Sequence, residues 1–176
     1  MLKWILALLG LATALVVGPF VAGMFLPKEH TVASSVTLSQ PPDSVWPVLR
    51  DLGRYPTWWQ DIKSSERDTE AHDREVWIQT DTQGQELPLE VIQSLPPSML
   101  VTRIADDKLP FSGQWTFEIA RTSTGSRVTV TEQGEVFNPV FRFVARLFLG
   151  HHGTIDRCLE ALGRRFGEQV TATHQQ

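Results

Sequence analysis

Cysteine is almost absent: Cys158 stands alone in 176 residues. That excludes an internal disulfide framework and any CxxC metal knuckle, and it leaves a thiol expected to fill core space. Positive charge is also scarce, with 16 Lys and Arg against 20 Asp and Glu, for a net charge of -4 and a pI near 5.7. A surface of that sign repels a phosphate backbone, so nucleic acid is not an expected partner. Hydrophobic residues make up 41% of the chain, which fits one ordinary domain with an appendage rather than two full domains.

Long apolar runs are missing except for one, "WILALLGLATALVVGPFVAGMFL", Trp4 to Leu26, which holds 23 residues without a charge. At about 1.5 Å per residue it would reach roughly 34 Å, enough for a bilayer core of about 30 Å. A membrane span is the leading reading. A cleaved secretory signal competes with it, because Gly18-Pro19 could end a shorter apolar region and Val21-Ala22-Gly23 offers small residues for cleavage. Counting only Lys and Arg around the run weakly favours a cytoplasmic N-terminus and an outward-facing domain. The expected location is therefore a membrane crossed once, the bacterial inner membrane, with the side of the domain undecided.

After this run the periodicity changes. "TVASSVTLSQ" sets Val32, Ser34, Val36 and Leu38 on one face, the two-residue period of a half-buried strand. In "PPDSVWPVLRDL", Asp43 or Ser44 is expected to cap a short helix, with Pro47 in its first turn and Gly53 at its end. Tyr55 to Trp59 reads as a second, very short helical turn. Between Lys63 and Val136, "EVWIQTDT", "ELPLEVIQSL", "MLVTRIAD", "GQWTFEIA" and "SRVTVTEQGEV" read as consecutive antiparallel strands, broken at Gly84, Pro96-Pro97, Leu109-Pro110 and "TSTGS". Alternation puts Leu87, Leu89 and Val91 on one face, as it does Trp115, Phe117 and Ile119, and Val128, Val130 and Glu132.

From Pro139 to about Glu168, apolar residues including Phe141, Phe148, Ile155, Leu159 and Leu162 recur at helical spacing. They predict one amphipathic helix of thirty residues capped by Asn138, with Arg142, Arg146, Arg157 and Arg164 on its solvated face. The expected fold class is α+β, a curved antiparallel sheet of about six or seven strands around this helix. Residues 1–28 form the anchor or signal, 29–168 the domain and 169–176 a flexible tail.

Three segments carry a resemblance: "SQPPDSVWPVLRDLGRYPTWWQDI", "GQWTFEIARTSTGSRVTVTEQGEV" and "NPVFRFVARLFLGHHGTIDRCLEALGRRF". Together, over about His30 to Glu168, they resemble the START-like (SRPBCC) helix-grip superfamily, particularly its polyketide cyclase/dehydrase and lipid transport branch. The resemblance implies a hydrophobic cavity between the sheet and the long helix, and a lipid, quinone or polyketide-like small molecule as partner. That superfamily spans carriers, receptors and aromatase/cyclases, so enzyme status is left open. The glycine-rich loop of its plant pathogenesis-related branch is missing. No cyclase catalytic set matches, and no cofactor or metal is implied.

Candidate cavity walls are Trp59, Trp77, Leu89, Val91, Trp115, Phe117, Val130, Phe148 and Ile155, with two polar residues among them. His152 lies on the apolar stripe of the helix, as a cavity-lining polar residue or an ordinary structural one. Its neighbour His151 diverges by about 100 degrees and cannot share one metal with it unaided. Glu132 either points inward, where it needs an arginine, a histidine or a ligand hydroxyl, or escapes outward on a bulge. A Glu132–His152 acid/base pair is a further option. Of the two adjacent tryptophans, Trp58 reads as structural and Trp59 as lining the cavity mouth or the bilayer surface. Three functions stay open: a membrane-tethered binding module, a cyclase, dehydratase or hydrolase on the same scaffold, and an interaction domain whose cavity its own side chains fill.

Overall fold

The structure is a computed structural model and describes residues 3–4, 17–71, 73–144 and 152–175. A helical segment at 17–24 leads into strand β1 (Glu29–Leu38), helix α1 (Pro42–Arg50) and a 3₁₀ turn (Leu52–Thr57). Six strands follow: β2 (Ile62–Arg67), β3 (Val76–Asp81), β4 (Glu86–Leu95), β5 (Met99–Ile104), β6 (Phe111–Arg121) and β7 (Ser126–Val136). Helices α2 (Pro139–Val144) and α3 (Gly153–Arg165) and a last strand, β8 (Thr173–Gln175), complete the described chain.

All eight strands form one sheet in the order β2-β3-β4-β5-β6-β7-β1-β8, each pair antiparallel. Chain-neighbouring strands meet as hairpins up to β7, and β1 then closes on β7 with Val36 opposite Val128 and Ser34 opposite Val130. The predicted alternation holds: Ser34, Val36 and Leu38 are buried on the same face as Phe117, Ile119, Val128 and Val130. Against that face lies α3, whose Ile155, Leu159 and Leu162 recur at helical spacing and are at most 1% exposed. Each such side chain contributes roughly 1.5–3 kcal/mol of transfer free energy.

Several expectations need correction. The sheet has eight strands, because the presumed tail supplies β8, pairing Ser34 with His174 and Ser35 with Thr173. Without it, that edge of β1 would present unpaired amides and carbonyls. Among the described residues the thirty-residue helix is two helices, with 145–151 outside the description. Its end comes early, at Arg165: Gly167 takes φ +75°, while its amide bonds Arg164 and the Glu168 amide bonds the Gly163 carbonyl. That is a Schellman ending, which favours glycine because left-handed backbone crowds a Cβ. In α1 no side chain caps the helix; Pro42 opens it, so Pro47 falls inside rather than in the first turn. Asn138 does cap α2, its Oδ1 accepting the amides of Val140 at 2.9 Å and Phe141 at 3.1 Å.

Arg142 departs from the solvated face expected for it. It is buried, and its guanidinium donates to the carbonyls of Leu26 at 2.8 Å and Phe137 at 3.2 Å. Among the described residues no helix is long and apolar enough to cross a membrane. Residues 5–16 of the apolar run lie outside the description, and so does Arg146.

Candidate functional site

Strand alternation on β6 and β7 turns Trp115, Phe117, Val130 and Glu132 to the inner face, where Trp115 sits opposite Glu132 and Phe117 opposite Val130. Trp59 reaches the same place from the end of the 3₁₀ turn, its amide bonded to the Tyr55 carbonyl at 2.8 Å. The Tyr55 hydroxyl in turn donates to the Leu49 carbonyl at 2.7 Å, locking the turn to α1. An aromatic row results. Trp58 stacks on Trp59 at 6.2 Å between ring centroids, Trp59 on Trp115 at 5.9 Å, and Trp115 tilts against Phe117 at 5.9 Å. Offset contacts of this kind are worth about 0.5–1.5 kcal/mol each beyond area burial. The indole nitrogens of Trp58 and Trp59 are both buried with no acceptor.

The row ends on a carboxylate. Glu132 Oε2 accepts the Trp115 indole N–H at 3.0 Å, and Oε1 lies 3.1 Å from His30 Nε2. The inward reading of Glu132 is therefore the realised one, and the histidine that a buried carboxylate needs is His30. Gly134 makes room for that ring, because a Cβ there would come within 2.3 Å of it. The side chains of His30 and Glu132 remain 18% and 21% exposed, so the polar end of the row is within reach of an incoming molecule.

A model of the family described as polyketide cyclase / dehydrase and lipid transport matches residues 29–167. The chain belongs to this family. Solved structures of similar fold include a START superfamily protein from Mycobacterium smegmatis, 19% identical, with TM-score 0.58 over 77% of this chain and 96% of that one. The protein MLL2253 from Mesorhizobium loti is 20% identical, with TM-score 0.59 over 78% of this chain and 97% of that one. Norcoclaurine synthase from Thalictrum flavum is 12% identical, with TM-score 0.63 over 85% of this chain and 92% of that one. At these identities the likeness speaks for the fold alone. No curated protein matches the sequence.

Within this family member the other candidates separate. Val130 and Ile155 are fully buried core residues, and Val91 packs against the same core. Trp77 and Leu89 face each other on β3 and β4, and the Trp77 indole donates to Glu75 at 3.0 Å. Phe148 and His151 lie outside the described residues. His152 is not paired with Glu132: its Nδ1 lies 3.1 Å from the hydroxyl of Ser34, and its ring stacks on His174. The acid/base pair considered from the sequence thus dissolves into two clusters, one built on His30 and one on His152, because each histidine meets a different residue of β1 and β7.

Trp59, Trp115, Phe117 and Ile155 pack into one apolar cluster between sheet and α3. A hollow of about 650 Å³ does open, but on the outer face, lined by Arg74, Glu90, Arg103, Gln114, Gln133 and Glu135 among others. Its walls are polar, unlike the expected apolar cavity. Burial, reinforced by the charge of Asp61, pushes the Cys158 thiol far up, and burial does the same to the Tyr55 hydroxyl. Both stay neutral at physiological pH, so neither is poised as a nucleophile. Sequence reasoning missed His30 and His174. Strand alternation alone could have found His30, which shares a face with Val32 and Ser34.

Proposed function

We propose that this protein binds an apolar small molecule carrying one polar group, of the lipid, quinone or polyketide-like class, while tethered to a membrane. The observation that carries this reading is the aromatic row Trp59–Trp115–Phe117 ending on the partly exposed Glu132–His30 pair. Flat aromatic faces suit a rigid apolar body, and a carboxylate beside an imidazole can receive a hydroxyl or a carbonyl. The family's description, which includes lipid transport, supports the same class of ligand. The tether rests on the uncharged run from Trp4 to Leu26 and on apolar side chains left open nearby. Phe25 is exposed, as are Phe137, Val140 and Phe141 around α2, and Arg142 joins α2 to the Leu26 carbonyl. For the side, the count of Lys and Arg around that run supports a domain on the outer face of a bacterial inner membrane.

Native mass spectrometry of the full chain released from detergent, followed by organic extraction, tests the binding. One co-purifying apolar molecule per chain, lost in Trp115→Ala, is the expected result. A folded chain that carries nothing and takes up neither a fatty acid nor a quinone probe overturns it. That outcome favours the second reading, an interaction domain with a filled interior, for which the near-complete burial of Trp59 and Phe117, 6% and 2% exposed, already speaks. A C-terminal reporter active on only one side of the membrane tests the placement, with cytoplasmic activity as the contrary result.

A further inference from the structure

The second histidine cluster has no part in the aromatic site. Helical spacing puts His152 and Asp156 four residues apart on one face of the first turn of α3, where the Asp156 amide bonds the His152 carbonyl at 2.9 Å. Register puts His174 of β8 opposite Ser34 of β1, and cross-strand partners share a face. Ser34 is fully buried, and its hydroxyl engages His152 Nδ1 at 3.1 Å. Three residues far apart in sequence thereby meet: one ring nitrogen from each histidine and a carboxylate oxygen of Asp156 all lie within 4.8 Å of one another.

We propose that His152, Asp156 and His174 form a three-ligand site for a divalent transition metal such as zinc, which clips the C-terminal strand to the first turn of α3. Two imidazoles and one carboxylate are a donor set that such ions prefer over calcium or magnesium, and three protein ligands leave a position for water. Three observations favour a cation over a simple ion pair. Asp156 Oδ2 already lies 2.9 Å from His174 Nε2, yet its second oxygen, Oδ1, is buried with no partner. The rings of His152 and His174 stack at 3.9 Å between centroids, which brings two imidazoles to one place. The bond from Ser34 fixes the His152 ring through Nδ1 and leaves Nε2 for the metal, the arrangement in which an outer partner orients a ligating histidine. Tetrahedral coordination at about 2.0–2.1 Å needs donor atoms roughly 3.4 Å apart. The half-exposed His174 closes that gap by rotating on its short strand. Binding through His174 Nε2 replaces its contact with Asp156, and a neutral imidazole then carries its proton on Nδ1.

The test is calorimetric titration of the full chain, stripped of metal with a chelator, using zinc chloride alone. One zinc per chain is expected, with visible absorption of the cobalt-loaded form showing four- or five-fold coordination, and with slowed hydrogen exchange at the amides of 173–175. His174→Ala and Asp156→Asn should each weaken binding by at least roughly tenfold, Ser34→Ala by about 10- to 100-fold as loss of an orienting partner does, and His72→Ala not at all. Because His174 lies on the surface, its removal leaves the fold intact, and circular dichroism of each variant checks this. Absence of saturable zinc binding, or binding that survives His174→Ala, overturns the proposal.

Discussion

On the inner face of the sheet Trp115, Phe117 and Val130 press against Trp59 and Ile155, while one residue along on β6 the outer face carries an exposed Glu118 and, at the polar hollow, Gln114. The same strands build both. The difference follows from a period of two: inward residues of β6 and β7 are mostly apolar, and Glu132 among them has two partners, whereas outward charges pair across strands, as Arg103 does with Glu90 at 2.7 Å. Stability therefore resides inside, and the outer face can vary at little cost.

The largest contrast should appear in thiol chemistry. Cys158, buried against the inner face and held neutral by burial, is expected to react with a disulfide reagent at pH 8 at least roughly a thousandfold slower in the native chain than in denaturant, since modification must await unfolding. A cysteine placed on the outer face by Glu118→Cys should react at once, and equal rates would erase the distinction. Next, Phe117→Ala should cost about 3–5 kcal/mol by urea denaturation, while Glu118→Ala stays within about 0.5 kcal/mol. Trp115→Phe removes the indole donor to Glu132 together with part of the stacked ring, so a double-mutant cycle with Glu132→Ala, which removes the acceptor, isolates the hydrogen bond; a coupling of about 1–2 kcal/mol is expected, and a coupling near zero would count against it.

The smallest effect belongs to the rim, where Glu75 meets Arg50 and Trp77. Burial pushes its carboxyl up, but hydrogen bonds from Arg50 and Trp77 and the charges of Arg50 and Arg67 outweigh that and hold it below the usual carboxylate value of 4.5. A folded-state value below the unfolded one means the contribution is complete above about pH 4.5 and fades as pH falls through the folded value. Glu75→Gln should therefore cost under about 1 kcal/mol at pH 7, with the gap to the parent shrinking in acid. A gap that widened below pH 4.5 would reverse the sign.

How much of this was legible beforehand divides along the same line. Inward faces of β4, β6 and β7 were readable because alternation is a local property, and the Asn138 cap because Asn-Pro before an apolar run has a fixed helical meaning. Trp58 was read as structural and Trp59 as lining the cavity mouth or the bilayer surface, yet both are buried. The histidine partner of the Glu132 carboxylate and the neighbours of His152 depend on register between strands far apart in sequence, which no window of residues contains. Three residues at Thr173–Gln175 are too few to show a period, so the tail passed for flexible. The break before α3 was hidden differently, since the apolar spacing from Phe141 to Phe166 runs on as though the helix did.

Arg142 has a mechanical consequence. By gripping the Leu26 and Phe137 carbonyls with one guanidinium, it pins the chain at its entry into the domain to the segment that leads into α2. Leu26 and the start of α2 therefore share one spot on the domain, so the chain enters the fold beside the exposed apolar side chains of Phe137, Val140 and Phe141.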